Sequence, residues 1–229
     1  MNTRPSLVLA LCIFLPSARP ADLNGRIVVT RAITKKHVTL PVYELRGAAT
    51  STLPSDPVHP TSEYGNMVVF LDGDLPRSAT PVHVSLTQQN QQFAPRLLVV
   101  PVGSTVSFPN SDPVFHNVFS LSATRKFDLG YYPQGRTRLV TFNDPGVVQV
   151  YCHLHPNMHG AIVVVPNQWH TQPAEDGTFS LTGVPPGTYR LMIWHMSAGY
   201  FHRTIQIEPD RAADNLLVNI PIRDTASLP

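Results

Sequence analysis

Short apolar runs separated by turn residues recur along this chain, and their spacing follows a period of two, not 3.6. Leu23-Asn24-Gly25-Arg26-Ile27-Val28-Val29-Thr30 is predicted as a first strand and Thr39 to Leu45 as a second. Residues 46–65 are rich in Ala, Ser, Thr, Pro and Gly, lack an apolar period, and are predicted as a loop. Asn66 to Leu71 is a strand closed by Asp72-Gly73-Asp74, and a linker runs from Leu75 to Pro81. A denser set follows: Val82–Leu86, Leu97–Val100, Thr105–Phe108, Val114–Phe119, Arg138–Phe142, Val147–Val150 and Ala161–Val165. After Pro166 come Asp176–Leu181, Thr188–Trp194, Arg203–Ile207 and Leu216–Ile220, with Gly183-Val184-Pro185-Pro186-Gly187 as a tight connection. No stretch sustains helical periodicity. Strands at this spacing predict an all-β protein, a sandwich or barrel.

Composition agrees. The 229 residues include 23 prolines and only 14% charged side chains, and the length suits one large or two small domains. The N-terminus reads as a secretory signal over residues 1–21: Arg4 supplies the positive start, Leu7 to Leu15 the apolar stretch, and Ser17, Ala18 and Ala21 the small residues. That stretch is too short to span a bilayer, which takes about 20 apolar residues, so no transmembrane segment is expected after processing. Removing the leader takes away Arg4 and Arg19 and leaves 15 basic against 15 acidic residues. No basic stripe remains, which argues against a nucleic-acid partner. Of the two cysteines, Cys12 lies in the leader and Cys152 alone remains. In an oxidising compartment such a cysteine is inert and buried, reactive, or a metal ligand.

The residues around Cys152 favour a ligand. Tyr151-Cys152-His153-Leu154-His155-Pro156-Asn157-Met158-His159-Gly160 joins two predicted strands and carries a thiolate, an imidazole and a thioether donor at Cys152, His155 and Met158. Cys152 falls on the strand face of Val148 and Val150, so its sulfur is expected to point to the core. His116 sits far upstream on a strand or strand end, where a second sheet segment could close on the same ion. Two imidazoles, a thiolate and a weak axial thioether suit copper; zinc competes on donor type, but copper binds more tightly in the divalent series. A dinuclear copper centre needs a second cysteine. A multicopper oxidase needs several His-x-His pairs, and His153-Leu154-His155 is the one present.

His116-Asn117 followed by Cys152-x-x-His155-Pro156-x-Met158, a Gly and a Val-rich strand resembles the cupredoxins, with a ligand loop most like that of amicyanin. Val102-Gly103-Ser104-Thr105-Val106-Ser107-Phe108-Pro109-Asn110 also resembles the strand and loop ahead of that family's first histidine. The resemblance covers residues 82–166 and implies a Greek-key β-sandwich. It implies one type 1 (blue) copper ion held by His116, Cys152, His155 and Met158. Asn117 would support the site, its backbone N–H directed at the thiolate and its side chain tying the two ligand loops together. His155 would be the ligand nearest solvent. His153 and His159 are expected as solvated surface residues, with a docking rim or copper loading as the alternative for His159.

Asp176-Gly177-x-Phe179-x-Leu181-x-Gly183-Val184-Pro185-Pro186-Gly187-x-Tyr189 resembles the carboxypeptidase regulatory-like (transthyretin-like) sandwich. Gly25 to Val29 and Met67 to Gly73 look like that module's earlier strands. The expectation is a second small β-sandwich, discontinuous over residues 22–74 and 168–225, with the copper domain inserted. The alternative is an irregular N-terminal extension and a separate C-terminal module. Copper-domain proteins with this module are often labelled methylamine-utilisation-like. Trp194 is expected in a core, and His195 and His202 exposed or hydrogen-bonded. The functional expectation is a periplasmic or secreted electron carrier, not an enzyme. It would serve a redox partner protein such as a cytochrome c or a dehydrogenase. The alternative is a copper-binding or delivery protein, or a structural surface protein, without redox turnover.

Overall fold

The computed structural model describes residues 19–30, 63–77, 80–209 and 211–220. The predicted strand at Thr39 to Leu45 and most of the predicted leader lie outside them. The described chain is all-β apart from a 3-10 turn at Glu63–Asn66. Its strands are β1 (Ala21–Val29), β2 (Met67–Asp72), β3 (His83–Ser85), β4 (Thr87–Gln89), β5 (Gln92–Ala94), β6 (Leu97–Pro101), β7 (Ser104–Pro109), β8 (His116–Ser120) and β9 (Phe127–Tyr132). They continue as β10 (Thr137–Phe142), β11 (Gly146–Tyr151), β12 (His159–Val165), β13 (His170–Thr171), β14 (Thr178–Val184), β15 (Gly187–His195), β16 (Gly199–Ile207) and β17 (Ala213–Ile220).

Four sheets stack in layers. The first has the order β14-β1-β17 and the second β13-β2-β15-β16; the third is β6-β12-β11-β8-β9 and the fourth β10-β7-β3, beside a β4-β5 ribbon. β1 pairs antiparallel with β14 and parallel with β17, and β2 pairs antiparallel with β13 and β15, so strands from both ends of the chain share two sheets. β1 begins at Ala21, the last residue of the predicted leader, which sits opposite Val184.

Three apolar layers fill the gaps between the sheets. Ile27, Val69, Leu71, Phe179, Leu191 and Val218 belong to the layer between the first two sheets. Val106, Phe108, Val118, Phe142, Val148 and Ile162 belong to the layer between the last two. A third layer joins the second sheet to the third: Val68, Phe70 and Trp194 meet Leu97, Ala161, Val163 and Val165. This explains why Met67 to Leu71 and Ala161 to Val165 show no polar alternation. Strands buried on both faces read as unbroken apolar runs. Every residue from Gly160 to Val165 is buried. Each such Val, Leu or Phe contributes about 1.5–3 kcal/mol from burial.

Several elements differ from the sequence expectation. β8 starts at His116, because Val114 and Phe115 are exposed in the preceding loop. β9 and the β4-β5 ribbon fall in stretches where no strand is predicted.

Candidate metal centre

The hairpin β11–β12 carries the site. Tyr151 pairs with His159, which leaves residues 152–158 as the connecting loop. Cys152 N–H donates to Met158 O at 3.2 Å, and Met158 N–H donates to His155 O at 2.8 Å. The loop is thus closed at its base and folded into a turn. Cys152 lies one residue past the strand end, yet its side chain packs in the same apolar layer as Val148 and Val150. Met158 packs in that layer too and is fully buried.

His116 opens β8 and brings a fully buried ring to the loop. Its Nδ1 lies 3.8 Å from the Cys152 Sγ, and the His155 Nδ1 lies 3.6 Å from the same sulfur. The two imidazoles stand 4.6 Å apart between centroids at 58°. The three donor atoms all lie within 4.8 Å of one another. Ligand bonds to a first-row ion of about 2.0–2.3 Å, set about 120° apart, place donor atoms about 3.7 Å from one another. The two sulfur–nitrogen distances match that spacing, so the donor set is arranged as one such ion requires. His155 is the only one of the three that is partly exposed, and burial together with His116 holds its pKa below the usual imidazole value.

Asp112, a residue the sequence reading passed over, determines how His116 is presented. Its Oδ2 accepts a 2.7 Å hydrogen bond from His116 Nε2. A carboxylate only accepts, so the proton sits on Nε2 and the Nδ1 lone pair faces the sulfur. Asp112 also accepts the backbone N–H groups of Asn90 and Gln91 at 2.7 and 2.8 Å. Burial opposes ionisation of this carboxyl. The bonds from Gln91, His116 and Asn90, with the attraction of His116, outweigh burial and hold its pKa below the ordinary carboxylate value. Asn110 fixes the loop that bears it: Oδ1 accepts Asp112 N–H at 2.9 Å, and Nδ2 donates to Val114 O at 2.8 Å and Tyr132 O at 3.1 Å. The only sequence signal for Asp112 is a carboxylate four residues before a candidate ligand, which does not say that the two side chains meet.

The structure assigns Asn117 different contacts from those expected. Its Nδ2 donates to Asp128 Oδ1 at 2.6 Å and Gly130 O at 3.3 Å, both on β9, and its Oδ1 is buried without a partner. The side chain does not cross to the Cys152 loop, because β9, unseen in the sequence, covers that side of β8. His153 is exposed and His159 half-buried, and both have partners at the surface. His153 stacks on Phe119, and His159 bonds to Asn157 O and Arg96.

In the second sheet Trp194 is buried, and so is His195. His195 Nε2 donates to Glu63 Oε2 at 3.0 Å, and its Nδ1 accepts the N–H groups of Ser197 and Ala198, each at 3.2 Å. His202 is exposed. Among the described residues, His116, Cys152 and His155 form the one cluster of three His, Cys, Asp or Glu side chains with donors close enough for an ion.

No protein-family model matches the chain, and no curated protein matches it. Solved structures do. A purple cupredoxin from Nitrosopumilus maritimus is 28% identical over 37% of this chain and 99% of its own, at a TM-score of 0.33. A copper-containing nitrite reductase from Thermus scotoductus is 24% identical over 43% of this chain and 26% of its own, at a TM-score of 0.36. An amicyanin is 20% identical over 42% of this chain and 98% of its own, at a TM-score of 0.34.

Proposed function

We propose that the protein is a mononuclear type 1 copper protein that carries single electrons, exported to the periplasm or secreted. The observation that carries this reading is the convergence of His116 Nδ1 and His155 Nδ1 on one buried cysteine sulfur, at 3.8 and 3.6 Å. His116, Cys152 and His155 would hold the ion, with Met158 as a fourth donor. When bound, copper supplies a one-electron cuprous–cupric couple.

The chain's own residues supply the rest. Asp112 keeps the His116 lone pair aimed at the site. Cys152, His116 and Met158 are buried, which excludes water from three of the four donors. Leu154, beside His155, and Val114 and Phe115, beside His116, are exposed apolar residues. They give a redox partner protein, a cytochrome c or a dehydrogenase, an apolar surface next to two ligands. The pairing of β1 and β2 with strands beyond residue 168 supports reading residues 22–74 and 168–225 as one discontinuous module of the carboxypeptidase regulatory-like kind, with residues 82–166 inserted. Among the described residues no helix is long and apolar enough to cross a membrane.

The test is addition of Cu(II) to the metal-free protein. An intense visible thiolate-to-copper band with a reversible one-electron couple is expected, and Cys152→Ser abolishes both. A weak d–d spectrum, or a band that survives Cys152→Ser, overturns the reading.

A further inference from the structure

His153 lies inside the ligand loop and His159 directly after it, yet neither is in the donor cluster. Both are held, at opposite ends of the loop and by different means. The His153 ring stacks on Phe119 with centroids 3.8 Å apart and planes 5° from parallel. Phe119 is the β8 residue paired with Tyr151 on β11, and those two rings lie 5.8 Å apart. His153 Nε2 is also 3.7 Å from Asp128 Oδ2, and Asp128 Oδ1 accepts Asn117 Nδ2 at 2.6 Å and Gly130 N–H at 2.9 Å. The start of the loop is therefore tied to β8 and β9. An exposed contact at that distance adds little, so the stack carries this anchor.

At the other end, His159 Nδ1 donates to Asn157 O at 3.1 Å and its Nε2 accepts from the Arg96 guanidinium at 2.6 Å. A guanidinium only donates, so the ring is the neutral tautomer with its proton on Nδ1. The Arg96 main chain is fixed, since its carbonyl accepts Ala161 N–H at 2.8 Å. One imidazole thus bridges the turn at Asn157 to the residue that leads into β6.

We infer that His153 and His159 are positioning residues that clamp the two ends of the ligand loop, so that the Cys152, His155 and Met158 side chains stay assembled before any ion arrives. The purpose rests on the copper reading; the clamp itself does not. A loop held by its own side chains keeps the cysteine closed against solvent and changes little when the charge at the site changes. Removing either anchor lets the loop open more often, and Cys152, buried when the loop is closed, reports each opening.

The experiment measures the rate at which an aromatic disulfide reagent modifies Cys152 in the metal-free full chain. His153→Ala is expected to raise it about two- to tenfold, the worth of one aromatic stack. His153→Phe, which keeps a ring on Phe119, restores the wild-type rate. His159→Ala gives a rise of about the same size, from two lost hydrogen bonds, and His159→Gln, whose amide can accept from Arg96 and donate to Asn157 O, restores part of it. In copper-loaded protein the alanine variants shift the thiolate-to-copper band and broaden it, and the conservative variants do not. Wild-type modification rates in both alanine variants overturn the clamp. Should those variants fail to fold, hydrogen exchange at Cys152 and Met158 in the metal-free wild-type chain decides: protected amides support the clamp, and exchange as fast as an open chain overturns it. Because thiol modification and exchange are read without metal, a protein that binds no copper but shows these effects refutes the copper reading alone.

Discussion

Asp112→Ala removes the acceptor of three hydrogen bonds at once. One partner, His116 Nε2, belongs to a fully buried ring, so its N–H is left without water or protein acceptor. An orphaned buried donor costs about 1–3 kcal/mol. The other partners are the N–H groups of Asn90 and Gln91, which sit in an exposed turn with φ of 56° at both residues. Water can replace Asp112 there, so each of those bonds counts for about 0.5–1.5 kcal/mol. The substitution should lower the unfolding free energy by about 2–6 kcal/mol, about half of it through His116. With the tautomer no longer fixed, copper affinity should fall about 10–100-fold. Denaturant unfolding of the metal-free protein and competition titration with a Cu(II) chelator measure the two effects. Asp112→Asn keeps one acceptor oxygen and should fall between. The contribution also has a sign in pH. The folded pKa lies below the ordinary carboxylate value of about 3.9, so the stabilisation is present above that value and lost as pH falls through the folded one. An Asp112→Ala protein within about 0.5 kcal/mol of wild type and with unchanged copper affinity would refute the reasoning.

Met158→Leu should keep the visible band and raise the reduction potential, because the axial donor favours the oxidised metal; cyclic voltammetry shows it, and an unchanged potential removes Met158 from the ligand set. Gly25→Ala should cost about 1–3 kcal/mol by denaturant unfolding, since the new Cβ would lie 2.5 Å from the Phe179 ring and 2.8 Å from Leu216 O. Trp194→Ala should cost about 3–5 kcal/mol by emptying the apolar layer between the second and third sheets, with calorimetry as the assay. Burial lowers the pKa of His195, despite Glu63, and of His170, so the unfolded chain takes up these protons first. Stability should be complete above about pH 6.5 and decline below it, by up to about 1.4 kcal/mol per pH unit for each group. Urea midpoints between pH 7.5 and 5.5 test this, and His195→Gln should flatten the profile.

What was legible in the sequence was what leaves a periodic or chemical trace. The strands with apolar alternation and the turns between them were found near their observed places. The ligand loop was legible because a cysteine, a histidine and a methionine rarely occur at that spacing by packing alone. β9 left little trace. At the sheet edge it buries Tyr132 fully and Phe127 and Leu129 in part, while Asp128 and Tyr131 face out. The β4-β5 ribbon is polar in sequence, and its buried Gln88 donates from Nε2 to Tyr132 Oη at 2.6 Å, a partner far along the chain, while its Oε1 is buried without a partner. Missing β9 had a consequence at the site: without it, the partners of Asn117 and His153 could not be named. The stretch from Pro109 to Pro113 reads as a loop, and Val114 and Phe115 as the start of a strand. The loop holds Asp112 in place through the Asn110 side chain and through backbone bonds to Gln88, Gly135 and Arg136, which no periodicity encodes.

The unbroken apolar runs bear on the site more than their length suggests. β12 has a buried residue at every position from Gly160 to Val165, with Ile162 and Val164 in the layer that holds Cys152 and Met158, and Ala161, Val163 and Val165 in the layer shared with the second sheet. The ligand loop ends where this strand begins. A strand with no solvent face has little room to shift, since packed interiors yield poorly to displacement. The second sheet therefore restrains the strand that follows the ligand loop, by covering its outer face. The same covering explains why residues 82–166 alone would expose Leu97, Ala161, Val163 and Val165, an apolar face that in the whole chain meets Val68, Phe70 and Trp194.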